Sequence, residues 1–412
     1  MSVDLHPFKA WRPRPELAEK IAAPPYDVLN ADEARQMAAG NELSFLHISK
    51  PEIDLPPDQD PYHDRIYDQG RQNLKILLER GYTQDPRPLF YVYQQKMGQH
   101  VQAGIVAGAS AFDYEADRIK KHELTRVDKE NDRIRHIETL GAHDEPVFLT
   151  YRHDAKIDAI VDGVRAGTPT YDFVSPDGIG HTFWVVGDDA KVLELKALFE
   201  GIDCLYVADG HHRSAAGTII SQRWRQRDPK LPRDHEVHFF TAVVFPDDQM
   251  QILDYNRVVK DLNGLSSAEF LNKIDEHFEV QKSEQTKPQR QKCFGMFLDG
   301  QWYRLTARAG HFDDKDPVKS LDVSILQDLL LGPVLGIQDP RTDKRIDFVG
   351  GIRGTAELEK RCGKDMKVAF SMHATTMDQL MAIADAGKMM PPKSTWFEPK
   401  LRSGLFIHTF DR

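Results

Sequence analysis

The sequence predicts an α+β protein of two domains, and three observations carry that expectation. The chain has 412 residues, more than one domain of ~100–200 residues accounts for. Helix-like and strand-like segments alternate without a strict βαβ rhythm, which disfavours a doubly wound sheet. The texture changes after Pro246, where turn-rich sequence replaces long apolar runs. We therefore expect an N-terminal domain over residues 1–250 and a C-terminal α+β domain over 251–412 that lends loops to a common site.

Hydrophobic residues form 40 % of the chain and charged residues 29 %, enough apolar material for a core and too much for global disorder. No run approaches the ~18 apolar residues of a membrane span. The opening Met1-Ser2-Val3-Asp4-Leu5-His6-Pro7 lacks the basic and apolar stretches of a secretory signal, so a cytoplasmic protein without a membrane partner is expected. Cys204, Cys293 and Cys362 lie far apart, which argues against a disulfide framework or a cysteine zinc site. With 54 basic and 64 acidic residues the net charge is −10. That balance disfavours bulk nucleic-acid binding but leaves room for a local basic pocket and for a homo-oligomer.

The elements follow in order. Ala31 to Ala39 reads as a short helix capped by Asn30 or Asp32 and stopped by Gly40. Pro51 to Pro61 reads as a loop. Tyr62 to Arg80 carries Ile66, Leu74, Leu77 and Leu78 near helical spacing. Leu89 to Tyr93 and Val101 to Ala109 read as strands around a turn at Met97-Gly98. A charged helix is expected from Ala116 to Leu140. Strands are expected at Pro146–Tyr151, His181–Val186, Cys204–Ala208 and Val237–Phe245. A further helix follows Leu265, and Phe294–Leu298 pairs with Trp302–Leu305 around Asp299-Gly300.

The stretch Asp209-Gly210-His211-His212-Arg213 is the most informative, because a buried strand runs through it into a helix. The start of a helix offers unpaired N–H groups and partial positive charge, which suit a phosphate. Gly210 allows close backbone approach, Arg213 can grip phosphate with two donors, His211 and His212 can donate, and Asp209 can hold a divalent cation. The plainer alternative is a turn capped by Asp209 with both histidines on the surface. A zinc pair of His211 and His212 is disfavoured, since adjacent ligands on one element diverge.

Residues 117–135 hold 12 charged side chains among 19. On a helix, His122, Arg126, Lys129, Arg133 and His136 form one cationic row. Lys120, Lys121 and His122 flank Glu123, a carboxylate that such cations would keep ionised and ready to accept a proton. A solvated helix face is the alternative. Further on, Arg341, Lys344, Arg345 and Arg353 surround Gly350-Gly351, a candidate backbone nest for an anion. Lys393 and Lys400 flank Trp396-Phe397 in a Pro-rich segment that could close over a ligand or simply pack.

These blocks carry a resemblance. His6-Pro7-Phe8-Lys9-Ala10-Trp11, Ala23-Pro24-Pro25-Tyr26-Asp27, Asn41-Glu42-Leu43-Ser44, Lys120-Lys121-His122-Glu123, Asp209-Gly210-His211-His212-Arg213 and Trp396-Phe397-Glu398-Pro399-Lys400 resemble domain-of-unknown-function family 1015 over nearly the whole chain. Residues 209–216 are also similar to the Gly-x-x-Arg phosphate motif of the ParB/sulfiredoxin-like superfamily. His212-Arg213 match its last two positions, and His211 stands where sulfiredoxin has its cysteine, so sulfinic-acid reduction is not expected.

The second resemblance implies a ParB/sulfiredoxin-like nucleotide-binding core and the activity of the superfamily's free-serine kinases. ATP or ADP would be the phosphoryl donor and Mg²⁺ or a similar cation the helper. It implies a glutamate base, for which the His-Glu context makes Glu123 the candidate, with His122 and His211 beside it. Gly210, His212, Arg213, Lys120, Lys121 and Arg126 would hold phosphate, and Asp209 the metal. Two other expectations stand beside it. One is a phosphoserine phosphatase built on the same groups. The other is a non-catalytic nucleotide- or DNA-responsive module, against which the net charge and the lack of a helix-turn-helix pattern both weigh.

Overall fold

The computed structural model describes residues 2–57, 60 and 62–410. The mixed α+β expectation holds. The chain forms two compact units, one of residues 1–250 with 399–412 and one of residues 251–398. The last segment, expected in the C-terminal domain, thus belongs to the first unit. Within that unit Tyr171 donates through its hydroxyl to the Leu405 carbonyl at 2.6 Å, and Tyr82 to that of Gly404 at 2.6 Å.

Among the described residues, the first unit is built on a nine-stranded sheet. Its strands are β1 (Leu5–His6), β2 (Phe90–Met97), β3 (His100–Ser110), β4 (Ile119–Lys120), β5 (Val147–Tyr151), β6 (Tyr171–Val174), β7 (Gly180–Val186), β8 (Leu205–Asp209) and β9 (Phe239–Pro246). The order is β4-β8-β5-β9-β3-β2-β7-β6, with β1 also paired to β3. The neighbouring interior strands β5 and β9 bury every residue, as continuous apolar runs such as Phe239-Phe240-Thr241-Ala242-Val243-Val244-Phe245 dictate. The β2–β3 hairpin turns at Gly98, whose φ of +60° needs no Cβ.

Helices cover the sheet and fix its end. α1 (Ala31–Ala38) opens with a capping box between Asn30 and Glu33, the reciprocal pairing that satisfies two orphan amides. α2 (Asp64–Gly81) buries Ile66, Leu74 and Leu77, and the last two join a core cluster with Phe45, Leu46 and Ile407. α3 (Val127–Leu140) stops at Gly141 in the left-handed conformation. α4 (His211–Arg227) packs Ala216 and Ile220 against Ile134 and Ile137 of α3.

The expected helix from Ala116 begins only at Val127. Asp117 sits at φ +56°, and Ile119-Lys120 is drawn off as an edge strand in parallel register with Leu205-Tyr206. Lys121 to Arg126 consequently form a loop. The cationic row dissolves with it: Arg133 and His136 are buried and paired with carboxylates, Arg133 to Asp132 at 2.8 Å and His136 to Asp144 at 3.0 Å.

The second unit carries an antiparallel six-stranded sheet of β10 (Tyr255–Val259), β11 (Phe278–Lys282), β12 (Cys293–Leu298), β13 (Gln301–Ala307), β14 (Ile346–Gly350) and β15 (Val368–Ser371). Its helices include α5 (Ser267–Ile274) and α6 (Gly354–Cys362). Gly350-Gly351 is no anion nest. A Cβ on Gly350 would lie 2.9 Å from the Trp396 ring and one on Gly351 2.5 Å from the Asp254 carboxylate. The glycines admit close packing, and the Gly351 amide is already taken by the Asp254 backbone carbonyl at 2.7 Å. No helix of the described residues is long and apolar enough to cross a membrane.

Candidate active site

The site forms where β8 meets α4. A bulge between Val207 and Asp209 shifts the β8–β5 register, the local kink that re-aims side chains at a strand end. Gly210 then turns the chain at φ +93°. Arg213 folds back over it so closely that a Cβ there would meet the guanidinium Nε at 3.0 Å. The first amides of α4 have no acceptor within the helix and point at the turn.

Arg213 is buried. It donates to the Pro146 carbonyl, and its other terminal nitrogen stands 3.9 Å from Asp209 and 4.0 Å from Asp27. Its Nε is buried with no hydrogen-bond acceptor. Burial disfavours the guanidinium charge, and Asp27, Asp209 and Glu145 more than offset this. Glu145, also buried, accepts from the Tyr26 amide and the Ser403 hydroxyl, each at 3.0 Å. Burial and then the neighbouring Asp144 carboxylate push its pKa up. Asp27 and Glu145 were not anticipated as site residues, although Tyr26-Asp27 lies within one of the blocks carrying the family resemblance.

Asp209 accepts from Lys400 Nζ at 3.1 Å and from the Gly210 amide at 3.0 Å. Burial pushes its carboxyl up, but Lys400 and Arg213 outweigh this and hold it well below the usual carboxylate range. A carboxylate so engaged does not fit a Mg²⁺ ligand, because the cations and the amide already take its oxygens. Lys400 is the one loop cation from the expected set that lies in the first unit. In the second unit Arg341 pairs with Asp339 at 2.9 Å and Arg345 with Asp343 at 3.1 Å, while Lys344, Arg353 and Lys393 are exposed.

The loop after β4 comes to the same turn. The parallel register Leu205–Ile119 and Tyr206–Lys120 sets the two chains side by side, and His122 and Glu123 follow directly. The His122 and His211 rings meet edge to face, their centroids 4.5 Å apart. His211 Nδ1 lies 4.0 Å from Glu123 Oε2. His122 and His211 are buried and His212 is half-buried, so neither histidine of the turn lies on the open surface, while the Glu123 side chain is 49 % exposed. Burial pushes His122 down to about 4 and His211 well below the usual imidazole range, so both are neutral near pH 7.

His212 accepts the Arg126 backbone N–H at 3.0 Å and straps the loop to α4. The remaining expected cations stand further back. Lys120 is a strand residue, Lys121 lies over the Tyr114 ring at 4.4 Å, and Arg126 is largely exposed and paired with Asp128 at 2.8 Å. Beside the loop a cleft of about 420 Å³ is lined by Tyr114, Lys121, Thr125, Glu130 and Thr218.

The family model described as "Protein of unknown function (DUF1015)" matches residues 5–324. The chain belongs to that family. No curated protein sequence matches it. Among solved structures the chain is similar to a free serine kinase in complex with AMP, at 14 % identity and TM-score 0.34, over 68 % of this chain and 84 % of that one. SbnI with C-terminal truncation from Staphylococcus aureus matches at 10 % identity and TM-score 0.39, over 72 % and 85 % of the two chains. A conserved hypothetical protein from Pyrococcus furiosus matches at 14 % identity and TM-score 0.32, over 68 % and 87 %. These likenesses are loose.

Proposed function

We propose that this DUF1015 chain transfers a phosphoryl group from ATP or ADP to the hydroxyl of a small metabolite, with free serine the first acceptor to test. One juxtaposition carries the reading: the accessible Glu123 carboxylate stands 4.0 Å from His211, the first residue of a 17-residue helix that opens on Gly210 and Arg213. Phosphoryl transfer asks for positioning and charge neutralisation more than covalent chemistry. The amides opening α4 and the unused Nε of Arg213 suit phosphate oxygens. The Asp27 and Asp209 contacts of Arg213 are at the long limit of ion pairing, which leaves the guanidinium open to a tighter anionic partner. Glu123 is placed to accept the proton of the acceptor hydroxyl, with neutral His211 beside it.

The test is ³¹P NMR of the full chain with serine and either magnesium nucleotide, and separately with phosphoserine alone. Phosphoserine should form from serine, and Glu123→Gln should slow this by ~10²–10⁴-fold, the usual contribution of a positioned base. Release of phosphate from phosphoserine alone would assign the phosphatase direction instead. No phosphorylated product from serine or other hydroxy acids would overturn the reading.

A further inference from the structure

We propose that His122, Glu123 and His211 form a binding site for a divalent transition metal of the Zn²⁺ class. Each offers one ligand atom, and these atoms all lie within 4.8 Å of one another. His122 supplies the decisive observation. It is 2 % exposed and both its ring nitrogens are buried, with the Val207 backbone placed to accept from one of them. The other is uncommitted. A buried polar group of this kind is costly unless something satisfies it. His211 Nε2 is likewise buried and unpartnered, while Nδ1 faces Glu123. Two buried imidazoles meeting edge to face beside a carboxylate bring three possible ligand atoms to one point.

The chemistry of the set selects the metal class. Two imidazole nitrogens and one carboxylate oxygen suit Zn²⁺, Co²⁺, Mn²⁺ or Fe²⁺, whereas Mg²⁺ prefers oxygen and retains its water. Ligand distances of ~2.0–2.2 Å require the donors to close up by about an ångström. Rotation of the half-exposed Glu123 side chain supplies much of this. Adjacent ligands diverge on a regular helix or strand, but His122-Glu123 lies on the irregular loop between β4 and α3, so that objection does not apply. Three protein ligands leave open positions, the arrangement of a catalytic centre, and the exposed side of Glu123 is where a phosphate oxygen or water would enter. The site rests on and deepens the phosphoryl-transfer reading, with one Glu123 oxygen on the metal and the other left to accept the hydroxyl proton, but its test needs neither nucleotide nor acceptor, so either can fail alone.

The full chain, freed of any affinity tag and stripped with chelator, is titrated with Co²⁺ and followed by its visible d–d absorption, then with Zn²⁺ in competition. About one equivalent should bind, with bands of a four- or five-coordinate nitrogen- and oxygen-ligated ion, and Zn²⁺ should displace it. His122→Ala, His211→Ala and Glu123→Gln should each weaken binding at least ~10-fold, and the exposed His153→Ala should not. Circular dichroism melts check that the histidine variants fold, and Glu123→Gln, on a half-exposed loop residue, keeps the test sharp if they do not. No absorption on adding Co²⁺, equal affinity in Glu123→Gln, or displacement by Mg²⁺ as readily as by Zn²⁺ would overturn the site.

Discussion

His212 Nε2 accepts the backbone N–H of Arg126 at 3.0 Å, joining two segments 86 residues apart. The bond orients the loop that carries His122 and Glu123, and it requires the ring to be neutral with its proton on the other nitrogen. Burial favours that neutral form. His212→Ala should cost only ~1 kcal/mol globally, as for one hydrogen bond, yet loosen residues 121–126. Limited trypsin digestion should cut after Lys121 or Arg126 sooner in the variant than in the parent. Equal cleavage rates would show that the loop holds without the strap.

Gly210 has φ +93°, and Arg213 Nε would lie 3.0 Å from any Cβ added there. Gly210→Ala combines a left-handed backbone penalty of ~1–2 kcal/mol with displacement of the guanidinium. Urea denaturation should show a loss of about 1–3 kcal/mol, with phosphate-ligand affinity falling beyond what the stability change explains.

Arg213 sits buried among Asp27, Asp209 and Glu145. Removing one partner of a buried charge cluster typically costs about 3–5 kcal/mol, because the carboxylates remain. Arg213→Ala should therefore lower stability by that order, whereas Arg213→Lys should fold but bind phosphate ligands less tightly, lacking the planar fork. Calorimetric melts and nucleotide titrations of the two variants separate these effects.

Asp322 in the second unit accepts from the Lys292 amide at 2.8 Å through one oxygen, and its other oxygen is buried without a partner. Burial raises its pKa to about 6. A raised carboxyl contributes stability that is full below its unfolded pKa near 4 and is lost as pH rises through about 6. Asp322→Asn should consequently raise the melting temperature at pH 8, by an amount equivalent to about 2–3 kcal/mol, and bring much less at pH 4. A benefit independent of pH would refute the assignment.

Local chemistry marked much of this protein. Asn30 with Glu33 announces α1, Gly141 ends α3, and the run from Leu205 to Gly210 reads as strand, turn and helix start. The loop at Lys121–Arg126 was hidden because helical spacing of its charges continues smoothly into α3. What breaks the helix is a strand pairing of Ile119-Lys120 with Leu205-Tyr206, over 80 residues away and invisible to periodicity. The same long range conceals Glu145, an acid beside Asp144 ahead of an apolar strand, whose meeting with Tyr26, Ser403 and Arg213 depends on the whole sheet. His122 offered only its neighbour Glu123 as a signal, and its meeting with His211 exists only in the folded chain.

The second unit interrupts the first: residues 251–398 lie between its body and its last segment. Synthesis runs from the N-terminus, and domains tend to fold as they emerge. Asp209 must wait 191 residues for Lys400, and Glu236 must wait for His408, its partner at 2.6 Å. Until then the turn at Gly210 carries a buried carboxylate lacking one of its two cations. The nascent chain thus reaches a working charge balance at this turn only after the whole intervening unit has been translated, so this half of the protein matures last although most of it is made first.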